Sequence, residues 1–110
     1  MIDWDRVSEL YEQVGAEDFE EVVDLFLEEV AEVIDTLRLD PQASRLEADL
    51  HFLKGSALNL GFADFSDKCS TGERQAAQGQ ADQIDIGGII GSYDASRNLF
   101  CNELTKRFAA

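Results

Sequence analysis

His51 is the only histidine among 110 residues, and Lys54 and Gly55 follow it three and four positions later. On an α-helix those spacings place all three on one face. The helix itself is predicted by its apolar residues. Leu46, Leu50, Leu53, Ala57 and Leu60 recur at four-three-four-three spacing and form one stripe. At about 100° per residue the stripe's centre lies roughly 140° from His51, so the imidazole is expected to face away from the core. A solvated neutral imidazole is both a nucleophile and a base. A cation one turn away favours negative charge on whatever the ring attacks. Gly55 adds a bare backbone patch, and it needs a reason to be there, because glycine inside a helix costs about 1 kcal/mol relative to alanine. Close approach of another molecule is such a reason. A lone histidine is often a structural group at a core edge or an idle surface residue. The wheel speaks against the first reading, and the company of Lys54 and Gly55 against the second.

Other chemistries find fewer of the residues they need. Cys69 and Cys101 have no CxxC spacing, and one histidine does not complete a usual zinc set, so neither a metal site nor a cofactor of the chain's own is expected. Both cysteines fit helical apolar stripes and are expected to be buried thiols. A serine or cysteine nucleophile needs a pocket, a base and a third, orienting group. The sequence displays no such set, although Ser56 and Cys69 stay open as nucleophiles at this level. A small hydrolase using His51 as general base is the least supported reading.

Size and charge narrow the partners. The length suits one domain with a modest core, here expected to span residues 1–110. No run of about 18 apolar residues exists, so no membrane span is expected. The acidic N-terminus lacks the pattern of a signal peptide, which points to a cytoplasmic protein, expected to be a monomer. Nine basic residues against 23 acidic ones leave a net charge of −14. Nucleic acid and anionic lipid are therefore unsuitable partners, since both bind through cationic neutralisation. The charge is uneven: residues 1–40 carry fourteen acids and only Arg6 and Arg38, whereas Arg45, Lys54, Lys68 and Arg74 cluster around the middle. The acidic half reads most simply as solvated helix face.

The elements that must hold His51 follow from periodicity and punctuation. A first, short helix is expected from Trp4 to Val14, N-capped by Asp3 and ended by Gly15. A second opens at Asp18, with Glu21 at capping-box spacing, and runs to Leu39. Asp40 and Pro41 then suit the N-cap and first position of a third helix reaching Leu60, stopped by Gly61. The fourth is expected over 62–79 on the rhythm Phe62, Phe65, Cys69, Gly72 and Ala76, with Gly72 where a large apolar residue belongs. Glu73 lies beside that stripe, facing a neighbouring helix. The fifth is expected from Gln83 to Phe108. Gly87, Gly88 and Gly91 weaken its beginning and leave a later start near Gly91 open. Short connections between long amphipathic helices imply an all-α, antiparallel up-down four-helix bundle with a short additional N-terminal helix.

The run His51-Phe52-Leu53-Lys54-Gly55-Ser56-Ala57-Leu58-Asn59-Leu60-Gly61 resembles the signature of histidine-containing phosphotransfer (HPt) domains of two-component phosphorelays, His-x-x-Lys-Gly-x-(Ser/Ala)-x-x-(Leu/Ile/Val)-Gly. His51, Lys54, Gly55, Ala57, Leu60 and Gly61 fall on that pattern. The motif covers about a tenth of the chain, and the helical layout of the rest is similar to that family. The resemblance implies a phosphorelay intermediate without independent enzymatic activity. His51 would take a phosphoryl group from the aspartyl phosphate of one receiver domain, on a hybrid kinase or response regulator, and pass it to the aspartate of another. Lys54 would stabilise the phosphoryl oxygens, Gly55 would keep a side chain out of the receiver's way, and the receiver would supply Mg²⁺. The family often has Glu or Gln at the position of Glu73, which implies a hydrogen bond to the second ring nitrogen; without it Glu73 reads as a surface residue. The family commonly has leucine where this chain has Gly72. Leu58, near His51 on the exposed side, would be a docking contact, and Glu47 reads as ordinary exposed surface. The alternative is a helical-bundle interaction module that docks a signalling partner without carrying phosphate.

Overall fold

The computed structural model describes residues 2–108. Five α-helices account for most of them: α1 (Trp4–Val14), α2 (Phe19–Leu39), α3 (Leu46–Leu60), α4 (Ala63–Ala77) and α5 (Ile86–Phe108), with one 3₁₀ turn over Ala81–Gln83. The fold is all-α, and among the described residues the only β pairing is an isolated bridge between Ile2 and Phe62. Helices α2 to α5 form the antiparallel bundle, and α1 packs on α2 and α3. The five residues of the α3 stripe are all buried, Leu50, Leu53, Ala57 and Leu60 completely. Each fully buried leucine contributes about 1.5–3 kcal/mol relative to exposure, which holds the opposite face of α3 toward solvent.

The two ends of α3 are made differently. At its C-terminus Gly61 adopts the left-handed conformation, φ 72°, and its N–H caps the helix. The chain before α1 closes on this point. The Asp3 N–H donates to the Gly61 carbonyl at 2.7 Å, and Arg6 donates to Asn59 Oδ1 at 2.7 Å. A Cβ on residue 61 would lie 2.5 Å from the Asp3 carbonyl oxygen, so glycine is required for both conformation and space. Trp4 then stacks on Phe100 of α5 with centroids 5.7 Å apart, seating α1 across the bundle.

Several expected boundaries move. Helix α3 begins at Leu46, five residues after Pro41. Proline forces the residue before it into extended backbone, and Asp40 has φ −158°, ψ 70°. Its carboxylate accepts from the Gln42 side chain and not from a helix N–H. Residues 41–45 are all exposed and turn on an Arg45 N–H to Gln42 carbonyl bond, because nothing apolar pulls them onto the core before Leu46. The Asp18–Glu21 capping box does not form either. Asp18 is itself in helical conformation with no side-chain cap, and Gly15's carbonyl takes the Asp18 and Phe19 N–H groups. Asp3, in contrast, caps α1 through the Arg6 N–H.

Helix α4 is shorter than expected, with Phe62 as its N-cap residue and Gln78 after its end. Helix α5 starts neither at Gln83 nor near Gly91 but at Ile86, because the Asp85 carboxylate accepts the Gly88 N–H at 2.9 Å. At Gly72 a Cβ would meet Leu50 Cδ1 at 2.8 Å and Ile89 Cδ1 at 3.3 Å, so these neighbours crowd the first atom of any side chain there, while the glycine also borders an open groove with Thr71, Gln75 and Ile89. Cys69 is buried as expected, but Cys101 is exposed: Phe100 takes the core position and turns the next residue outward.

Candidate functional site

The site forms because α3 and α4 are antiparallel neighbours across a very short turn, and they share the most extensive interface in the fold. His51 lies ten residues before Gly61 and Glu73 twelve after it. Residues nearly equidistant from a hairpin's turn stand at the same height. Glu73, on the α3-facing edge of α4, therefore arrives beside His51 and Lys54.

One carboxylate serves both partners. Glu73 Oε2 lies 2.8 Å from His51 Nδ1, and Glu73 Oε1 lies 2.6 Å from Lys54 Nζ. An ionised carboxylate only accepts, so Nδ1 is assigned as the protonated ring nitrogen. The other nitrogen, Nε2, then carries the lone pair. The imidazole side chain is 71% exposed, whereas that of Glu73 is 19% exposed. The ring is thus held from below and open above. Glu73 sits below the usual carboxylate range, first because Lys54 donates to it; partial burial opposes this, and the His51 hydrogen bond adds to it. It is ionised at neutral pH.

Gly55 is exposed, and a Cβ there would meet nothing within 4 Å, so the backbone beside His51 is open to an approaching surface. Leu58, one turn further on the same side, is 56% exposed. Phe52, at 38% exposed, flanks the face from the other side. The sequence reading passed over Phe52; its angle of about 100° from His51, between stripe and solvent face, was the available signal. Glu47 is exposed on the preceding turn, and the ring's carboxylate partner is Glu73.

The two other nucleophile candidates are poorly placed. Ser56 is buried on the side of α3 away from His51. Cys69 is completely buried, and burial, with the nearby Glu73 charge, pushes its thiol up to about 12. It stays protonated and unreactive. Among the described residues no group of three or more His, Cys, Asp or Glu side chains is arranged to hold a metal ion. No helix among them is long and apolar enough to cross a membrane.

A family model described as Hpt domain matches residues 21–107, which takes in nearly all of α2 and the whole of α3 and α4. The chain belongs to the Hpt domain family. The family is that of histidine phosphotransfer in phosphorelays, whose members carry phosphoryl groups and interact with receiver domains of two-component systems. Helix α1 and Asp3 lie ahead of the matched span, and Gly61, to which the Asp3 N–H donates, lies within it. No curated protein and no solved structure matches the chain.

Proposed function

We propose that residues 1–110 act as one phosphorelay intermediate in the cytoplasm. His51 Nε2 accepts a phosphoryl group from the aspartyl phosphate of a receiver domain and gives it to the aspartate of another. The observation that carries this reading is the pairing of Glu73 with His51 Nδ1. It leaves Nε2 as the nucleophile on an open face, beside a glycine with free space over it. Gly55 and Leu58 form the docking surface, with Lys54 one turn from the ring to meet the phosphoryl oxygens. The receiver brings Mg²⁺ and most of the transition-state stabilisation, and the chain, a monomer, has no turnover of its own. Its charge of −14 disfavours nucleic acid and anionic membranes as partners.

The test is incubation with phosphorylated receiver domains from the same organism, followed by analysis of the label on the chain. Label that survives base and is lost in acid is expected on the wild type, and none on His51→Gln. A chain that binds receivers equally well as His51→Ala and never takes label would be a docking module, and the carrier reading would fall.

A further inference from the structure

The four helices of the bundle do not close on one another equally. Of the neighbouring pairs, α2 and α5 pack least closely. Two hollows of about 410 and 270 Å³ lie between them and adjoin at Asp24 and Leu27. Together they make one groove from Phe19 to Ala31, about 18 Å along α2 at 1.5 Å per residue. Its floor is apolar, built from Val23, Leu27, Phe100 and the half-buried Leu104. Helix α2 does not pack closely with α4, nor α3 with α5, so the α2–α5 face lies opposite the α3–α4 face that carries His51.

The walls of the groove are rows of side chains four residues apart. On α2 the rim is Glu20, Asp24 and Glu28, and on α5 it is Arg97, Cys101 and Thr105. Rows at this spacing are the ridges between which the side chains of another helix pack. The two rims differ in charge. Glu20, Asp24 and Glu28 are exposed, and none makes an ion pair with another described residue. The α5 rim is neutral at Cys101 and Thr105 and ends on Arg97, which donates to Tyr93 Oη at 3.1 Å. The groove is therefore apolar along its floor and anionic along one edge only.

That combination selects its occupant. A second copy of this chain would bring another net charge of −14 to an anionic edge, and like charges there repel. A helix with an apolar face and a basic edge satisfies both the floor and the rim. We infer that the α2–α5 groove binds about three turns of amphipathic helix from a partner protein, its apolar face on Leu27 and Leu104 and its lysines or arginines along Glu20, Asp24 and Glu28. The inference does not rest on the carrier reading. Because the groove faces away from His51, the helix and a receiver domain are held at the same time, and the bound helix ties the carrier to a second protein.

The probe is a synthetic helical peptide of about twelve residues, with leucines on one face and lysines along one edge of that face. Its affinity is measured by fluorescence polarisation at about 0.15 M salt, where distant charges are screened. Cys101 is exposed in the groove and Cys69 is buried, so a thiol reagent reports on Cys101 alone. Peptide is expected to slow that labelling in proportion to the fraction bound. The triple variant Glu20→Gln, Asp24→Asn, Glu28→Gln is expected to weaken binding about tenfold. Cys101→Arg, which puts the wrong charge into the groove at an exposed position, is expected to weaken it as well. A control triple of equal net charge, Glu12→Gln, Glu29→Gln, Asp82→Asn, is expected to stay within about twofold of wild type. Equal losses in the two triples would mean mere attraction of a polycation to an acidic protein, and unslowed labelling of Cys101 would put the peptide elsewhere; either result overturns the inference. Absence of binding overturns it too, as does a dimer whose Cys101 is protected without peptide, the second copy then being the occupant. His51→Ala is expected to bind the peptide as wild type does, whether or not the chain carries phosphate, and a loss there would place the peptide on the wrong face.

Discussion

Glu73 holds the ring and the lysine with one oxygen each, and that arrangement makes the stability of the fold depend on acid. Its carboxyl is held below the ordinary value of 4.5, chiefly by the Lys54 hydrogen bond and then by that of His51. In the unfolded chain these partners are gone, so the unfolded state takes up the proton first as pH falls. The contribution of the ionised group is complete above the ordinary value and is lost as pH drops through the lower, folded one. Glu73→Gln should therefore be less stable than wild type at neutral pH, with urea midpoints that converge below about pH 4.5. A gap that stays constant down to acid would show that the carboxylate's charge is not what stabilises the site. Lys54 makes its own case in kinetics. A charge-assisted hydrogen bond at a partly exposed site is worth about 1.5–3 kcal/mol, or roughly ten- to hundredfold in rate. If Lys54 meets the moving group as proposed, and not only the partner, Lys54→Ala should slow transfer by that factor even at saturating receiver. Lys54→Arg should recover part of it, the planar fork being a poor substitute for a compact ammonium. A saturated rate within about twofold of wild type in Lys54→Ala would place the lysine in docking alone.

Helix α4 presents Glu73 to the exposed edge of α3 and Gly72 to the core between α3 and α5, so neighbouring positions do different work. The family resemblance leads one to expect a leucine at position 72. Here Leu50 and Ile89 already stand where its side chain would go, within 2.8 and 3.3 Å of a hypothetical Cβ. Both side chains stand close against the glycine, and Leu50 is the residue directly before His51. Gly72→Leu should therefore overpack the bundle and cost about 1–3 kcal/mol, despite leucine's higher helix propensity. Chemical denaturation measures this, and a variant as stable as wild type would mean that α5 yields to the added side chain at no cost. The punctuation of the elements was only partly legible. Asp3 and Gly61 carry out the capping expected of them because their neighbours are close in sequence. Asp40-Pro41 misled, since a capping pair starts a helix only where the next turn has something to bury, and residues 41–45 do not.

Taken whole, the molecule is a long bundle, 47 × 23 × 20 Å, with 23 acids against nine bases. Its exposed ion pairs, Arg38 with Asp94 and Arg6 with Glu9, are of the solvent-screened kind that contributes little to stability. Salt weakens such pairs, but it also screens the repulsion among the excess acids, and with a net charge of −14 the second effect dominates. Raising sodium chloride from about 20 mM to about 500 mM should lift the melting temperature by about 4 °C, the equivalent of roughly 0.5–1 kcal/mol in a chain of this size. A melting temperature that falls with salt would give the ion pairs more weight than their exposure warrants.

The helices and the outward direction of His51 were determined by the sequence alone. Helical periodicity is a local property, and an apolar stripe such as Leu46 to Leu60 has one way to be buried. The run from His51 to Gly61 also carried the family resemblance unaided. What lay beyond the sequence depends on how two helices meet. That Glu73 bonds both His51 and Lys54 follows from the height and facing of α4 beside α3, set by the turn at Gly61 and by core packing. The crowding at Gly72 and the exposure of Cys101 are decided in the same way. Each turns on a few ångströms between residues distant in the chain. Periodicity says which side of a helix is buried, but only tertiary packing says which neighbour stands there.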